Sequence, residues 1–225
     1  MVTAAECGIV FSPRRRRPAF RIAPETGRLE LLLPAGFPEH RIPILLEENA
    51  PAIGRLFARC ERRSARIPRF EFNENGRFLY LGEWKPLRFS RRVSAFDGET
   101  FLVPAGSPEE VRESLEKLYR KLALNLFSAR VAHYAQRHGL SPGKISINAA
   151  TGRWGSCSSG GNLHFSWRLL QCPPPAVDYV IVHELAHLRE LNHSPRFWAV
   201  VRSMEPDYEI QNRFLARHGL EYRGW

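Results

Sequence analysis

Apolar residues along this chain change their period near its middle. In the first half they fall in short alternating runs. Residues 19–23 and 29–33 read as two strands, with Pro24-Glu25-Thr26-Gly27 as a turn signal between them. From about 39 to 62, Ile44, Leu45, Ile53, Leu56 and Phe57 suit a helix whose start is limited by Pro43 and Pro51. Short strands are expected at 77–81, 87–90 and 100–103, broken by Gly and Pro.

The second half is patterned for helices. Ser107-Pro108-Glu109-Glu110 combines an N-cap Ser, a Pro at the first helical position and the Glu of a capping box. Val111, Leu115, Leu118, Leu122, Leu126 and Ala129 follow at helical spacing, and Gly139 can end the helix. Residues 144–148 read as a strand, the Gly- and Ser-rich stretch 151–161 as a loop, and 162–169 as a second strand. After the break at Pro173-Pro174-Pro175 three helices are expected. The first runs over 175–191, the second opens at Ser194-Pro195, and the third runs from Pro206 to Gly219. The expected class is α+β: one compact domain over about 18–220, with a strand-rich N-terminal part (1–105) and a helical part (106–225). Two domains cut near 105 are the alternative.

One helix carries the sharpest chemistry, His183-Glu184-Leu185-Ala186-His187. Residues i and i+4 share a helix face, so both imidazoles can meet one zinc at ~2.0–2.1 Å. Glu184 is rotated away from that pair and can reach a metal-bound water without holding the metal. Zinc would acidify the water, and Glu184 would take its proton and pass it to the leaving group. Such a pattern arises by chance in about one percent of chains this long, and here it lies on an independently expected helix.

A catalytic zinc needs a third protein ligand and an open position. His193 is the preferred candidate. Asn192 can take a left-handed cap and Ser194-Pro195 starts a new helix, so the chain reverses there and can return His193 to the metal. The spacing equals that of metzincins, but Glu190 stands where their Gly would be, so a metzincin is not expected. Glu205 is the rival third ligand.

Arg153-Trp154-Gly155-Ser156-Cys157-Ser158, Gly161-Asn162-Leu163, Trp167-Arg168-Leu169, the segment from Asp178 to His187, and the segment from Asn192 to Trp198 together resemble the YgjP-like metallopeptidase family. The resemblance is densest from 153 to 198. It implies a zincin-like helical core around the HExxH helix, His183, His187 and His193 as ligands of one zinc per chain, Glu184 as general base, and a peptide or protein substrate. Ser166 stands where the family's usual Asn would be.

A nucleoside triphosphate of the UTP type is the alternative substrate, since some relatives have been described as hydrolysing it and a zinc hydroxide can attack phosphorus. Arg153, Arg168, Arg189 and Arg196 lie within or beside the motifs, and Arg forks suit phosphate. In either reading the 153–158 loop is a candidate substrate surface. Gly155 permits close backbone approach, Ser156 offers a hydroxyl, Trp154 an apolar face and Arg153 and Arg168 charge. The strand at 163–169 could serve as an edge for an extended peptide.

Composition changes this picture little. The 225 residues are 44% apolar and 25% charged, which suits a packed core and excludes wholesale disorder. No apolar run approaches the ~20 residues of a membrane helix. Arg14 to Arg17 follow the mildly apolar N-terminal stretch, the wrong order for a secretory signal. The Arg-rich start is also compatible with a transit peptide, but the expected compartment is the cytoplasm and no membrane partner is expected. The net charge is +10, and of 33 basic residues only Lys85, Lys117, Lys121 and Lys144 are Lys. A nucleic-acid-binding protein with a structural zinc is a third reading, which would need a fourth ligand such as Cys157 or Cys172. Cys7, Cys60, Cys157 and Cys172 form neither a C-x-x-C nor a ribbon spacing. Nucleic acid is therefore not the expected partner, and the thiols are expected reduced.

Overall fold

The computed structural model describes residues 7–23, 26–223 and 225. Pro24 and Glu25 of the expected turn, and residues 1–6, lie outside the described residues. Helices and strands are mixed, in an α+β class. The chain divides into two compact units, residues 1–66 and 67–225.

In the first unit, β1 (Gly8–Ser12), β2 (Ala19–Ile22) and β3 (Leu29–Pro34) form a sheet ordered β1-β3-β2. β2 runs antiparallel to β3, and β1, which the periodicity did not predict, runs parallel to it. Side chains alternate across a strand, and Leu29, Leu31 and Leu33 of β3 accordingly bury one face. They pack with Ile42 and Leu46 of α1 (Ile42–Glu48) and Ile53 of α2 (Ala50–Ser64). The single helix expected over 39–62 is thus two, with Asn49 between them in a non-helical conformation and Pro51 in the first turn of α2, where a proline is tolerated.

The second unit holds β4 (Arg77–Tyr80), β5 (Glu83–Ser90), β6 (Ala95–Phe96) and β7 (Phe101–Pro104) in the order β4-β5-β7-β6. No division falls near 105. Phe78, Leu87, Phe101 and Val103 of these strands bury into one cluster with Val111, Leu115 and Tyr119 of α3 (Pro108–His138), so strands and helix share a core. α3 starts as expected. The Ser107 hydroxyl accepts from Glu110 N–H, the Glu110 carboxylate accepts from Ser107 N–H, and Gly139 takes the left-handed cap at φ 61°.

A second sheet has the order β8-β10-β9, from β8 (Ile145–Asn148), β9 (Gly155–Cys157) and β10 (Leu163–Ser166). β9 lies inside the stretch expected to be loop. The strand expected to reach 169 stops at Ser166, and Trp167–Gln171 form a 3-10 turn with every side chain buried.

The helices α4 (Pro174–Ala186), α5 (Pro195–Met204) and α6 (Tyr208–His218) complete the unit. α4 is apolar on nearly all sides and packs against α3, α5, α6 and β9. It ends at Ala186, short of the expected 191, and the last helix opens at Tyr208 rather than at Pro206. Arg130 of α3 grips both carboxylate oxygens of Asp178 on α4, with Nε 2.7 Å from Oδ1. No helix among the described residues is long and apolar enough to cross a membrane.

Candidate active site

His183 lies in the last turn of α4 and His187 caps it, still in right-handed helical conformation, so the i, i+4 relation holds although the helix is ending. Backbone bonds from Leu188, Arg189 and Glu190 N–H to Leu185 and Ala186 carbonyls tighten the turn that follows. Ser194 then caps α5 by accepting from Phe197 N–H at 3.3 Å. His193 stands immediately before that cap. The reversal brings its Nε2 to 3.0 Å from His183 Nε2.

Ligand atoms of His183, His187 and His193 all lie within 4.8 Å of one another. Among the described residues they are the group of His, Cys, Asp or Glu that could hold an ion. Glu205 does not join them. It caps α5 at its C-terminus and feels the charges of Asp178, Asp207 and Arg130. Neither Cys157 nor Cys172 belongs to the group, and Cys172 is fully buried.

The imidazoles suit a zinc-like ion on chemical grounds. Burial, then the neighbouring His187 and His193, push the His183 pKa down to about 3, and burial lowers that of His187. Both rings are neutral near pH 7 and keep a lone pair. His187 Nδ1 lies 3.0 Å from the Glu190 carbonyl, which fixes that nitrogen as the donor and leaves Nε2 to ligate. Two nitrogens on one tetrahedral zinc sit about 3.3 Å apart, close to the separation of the His183 and His193 nitrogens. Beneath the rings lies Phe197, fully buried, with its centroid 4.9, 4.6 and 4.7 Å from those of His183, His187 and His193.

Glu184, the next residue, is rotated by about 100° around α4 from His183. It is buried, and burial raises its pKa to about 7 against the opposing pull of the Arg153 charge and the Cys157 backbone N–H. Its carboxylate packs on Gly155 of β9, where a Cβ would come within 2.7 Å of Oε1. Position 155 is glycine because the carboxylate fills that space.

β9 is the edge of its sheet, whereas the strand expected to serve as that edge, β10, is its centre. Ser158 N–H donates to Asn162 O and Ser166 N–H to Trp154 O, at 2.9 and 2.8 Å. Because antiparallel pairs alternate, Ser156 faces β10 and the backbone groups of Gly155 and Cys157 turn outward, toward the side of Glu184. A cavity of about 340 Å³ opens there. Trp154, Gly155, His183 and Glu184 reach it, with Tyr179 of α4 and Asn212 and Leu215 of α6.

Of the substrate residues expected from sequence, Trp154 and Gly155 line this cavity and Arg153 acts on Glu184 through its charge. Ser156 is not in its wall. Arg168 is not in its wall either. It is buried, donates to the carbonyls of Ala149 and Trp225 at 2.9 and 2.8 Å, and lies over the Trp167 ring, so it holds backbone rather than substrate. Arg189 likewise donates to the His138 carbonyl. The triphosphate alternative thereby loses two of its four arginines. Sequence reasoning missed Tyr179, Phe197 and Asn212. Tyr179 was readable, since it precedes His183 by one i, i+4 step. Phe197 and Asn212 carry no chemical signal of their own.

The family model of the YgjP-like metallopeptidase domain matches residues 16–218. No curated protein matches the chain. Among solved structures, the metallopeptidase zymogen of Pyrococcus abyssi abylysin is similar at 23% identity, over 40% of this chain and 93% of that one, with a TM-score of 0.37.

Proposed function

Because the chain belongs to the YgjP-like metallopeptidase family, we propose that it is a zincin-type peptidase in which His183, His187 and His193 hold one zinc and Glu184 is the general base. The observation that carries this reading is the convergence of three ligand nitrogens within 4.8 Å, one residue along the chain from a buried carboxylate facing a cavity. Bound zinc would supply a Lewis acid that lowers the pKa of a water and polarises the scissile carbonyl.

The remaining steps belong to the chain. The Glu184 carboxylate takes a proton from the attacking water and delivers it to the departing amine nitrogen. A buried carboxylate beside the water can serve as acceptor first and donor afterwards. The Glu190 carbonyl holds His187 in the tautomer whose Nε2 faces inward. An extended peptide pairs with the outward N–H and C=O of Gly155, and one of its side chains enters the cavity beside Tyr179 and Leu215.

The test offers purified protein casein and a peptide library, in parallel with the four nucleoside triphosphates, with and without a chelator. Peptide hydrolysis that the chelator abolishes and added zinc restores is the expected result. Triphosphate hydrolysis without any peptide cleavage would overturn the proposal.

A further inference from the structure

Composition assigns the basic charge to no place in the molecule; the fold does. Residues 1–66 carry twelve Arg against seven Glu, with no Lys or Asp. In this first unit, Ile53, Leu56 and Phe57 turn one face of α2 toward the core. On the flank, Arg55, Arg59 and Arg62 recur at i, i+4 and i+7 and are all exposed.

These three side chains line a groove of about 490 Å³ together with Phe20 of β2, Ala52 and Leu56. No acid lines it. Arg21, outside this groove, pairs with Glu30 at 2.5 Å. A second groove of about 430 Å³ in the same unit is lined by Ser12, Arg14 to Arg17 and Pro18, again without an acid among the described residues. This run ends three residues before Phe20 in sequence.

We infer that the groove between α2 and β2 binds single-stranded nucleic acid, with Arg55, Arg59 and Arg62 on successive phosphates and Phe20 offering its ring to a base. The rise of a helix spreads these arginines over about 10 Å. A stacked strand carries a phosphate every ~3.4 Å, so about three fall within that length. Guanidinium forks pair with phosphate oxygens two at a time, which an ammonium does not do. A flat apolar ring beside a cationic row is the combination used for unpaired bases, since stacking needs a base face that a duplex hides. An acidic protein segment would match the charge but would have no use for the ring. This surface is separate from the peptidase reading, and neither depends on the other.

The experiment measures binding of the full chain to a fluorescent 20-nucleotide poly-dT by anisotropy, from 50 to 300 mM salt. The expected result is salt-dependent binding. In the triple variant Arg55→Gln, Arg59→Gln, Arg62→Gln, the slope of log K against log salt should fall by about 2, at ~0.7 for each phosphate no longer neutralised, with affinity at least tenfold weaker. The triple Lys variant should keep most of the slope, and Arg91→Gln with Arg92→Gln in the second unit should change nothing. Melting curves of all variants establish that they are folded. Unchanged affinity and slope in the triple Gln variant, or no binding by the wild type at 50 mM salt, would overturn the inference. So would equal binding of a duplex of the same length or of poly-glutamate.

Discussion

Glu184 occupies the space that a side chain at Gly155 would fill, since a Cβ there would lie 2.7 Å from both its Cγ and its Oε1. The edge strand and the active-site helix are therefore in contact through a missing methyl group. Gly155→Ala must displace the carboxylate by about an ångström while leaving the three imidazoles untouched. A misplacement of that size costs about 100-fold in rate. The variant should bind zinc normally and lose about that much kcat/KM. Activity within twofold of wild type would show that the carboxylate's position is not what matters.

Phe197 touches all three imidazoles and is fully buried. Its removal both opens a cavity and frees the rings. Phe197→Ala should destabilise the second unit by about 3–5 kcal/mol and weaken zinc binding, whereas Phe197→Leu should retain most of both. Thermal melts together with zinc titration of the two variants measure this. Wild-type zinc affinity in the Ala variant would mean that the ring packs the core without positioning the ligands.

The third ligand separates two variants. His193→Ala should lose tight zinc binding, and Glu205→Ala should keep one zinc per chain, because Glu205 sits among Asp178, Asp207 and Arg130. Metal analysis after dialysis decides it. Zinc retained in the first variant and lost in the second would reverse the assignment.

Arg168 should prove structural. Its guanidinium satisfies the carbonyls of Ala149 and Trp225 in a buried setting. Arg168→Leu should cost about 1–3 kcal/mol through unpaired backbone groups, while KM for a peptide stays within twofold. A KM raised tenfold in a variant of unchanged Tm would return Arg168 to the substrate surface.

Much of the scaffold was legible because its signals are local. The Ser107–Glu110 box, the Gly139 cap and the Ser194 cap each depend on a few neighbouring residues. His183, Glu184 and His187 were readable for the same reason, since a helix converts a spacing of four into one face. What failed depends on distant partners. β9 exists only because β10 pairs with it, and three residues of Gly, Ser and Cys give no periodicity to read. Arg168 looked like a substrate group because sequence shows a charge but not the two carbonyls that receive it. The alternative of a cut near 105 rested on a change in element type, while the division at Arg66 follows from which side chains share a core.

Glu184→Gln separates the proposed carboxylate base from the three imidazoles proposed to hold zinc. Gln is nearly isosteric, fits against Gly155 and cannot accept the water's proton. Zinc content and peptide turnover are measured on the same preparation, beside wild type. One zinc per chain in both proteins and a turnover lower by orders of magnitude in the variant is the expected result. A variant that holds its zinc and cleaves peptide at the wild-type rate would contradict it.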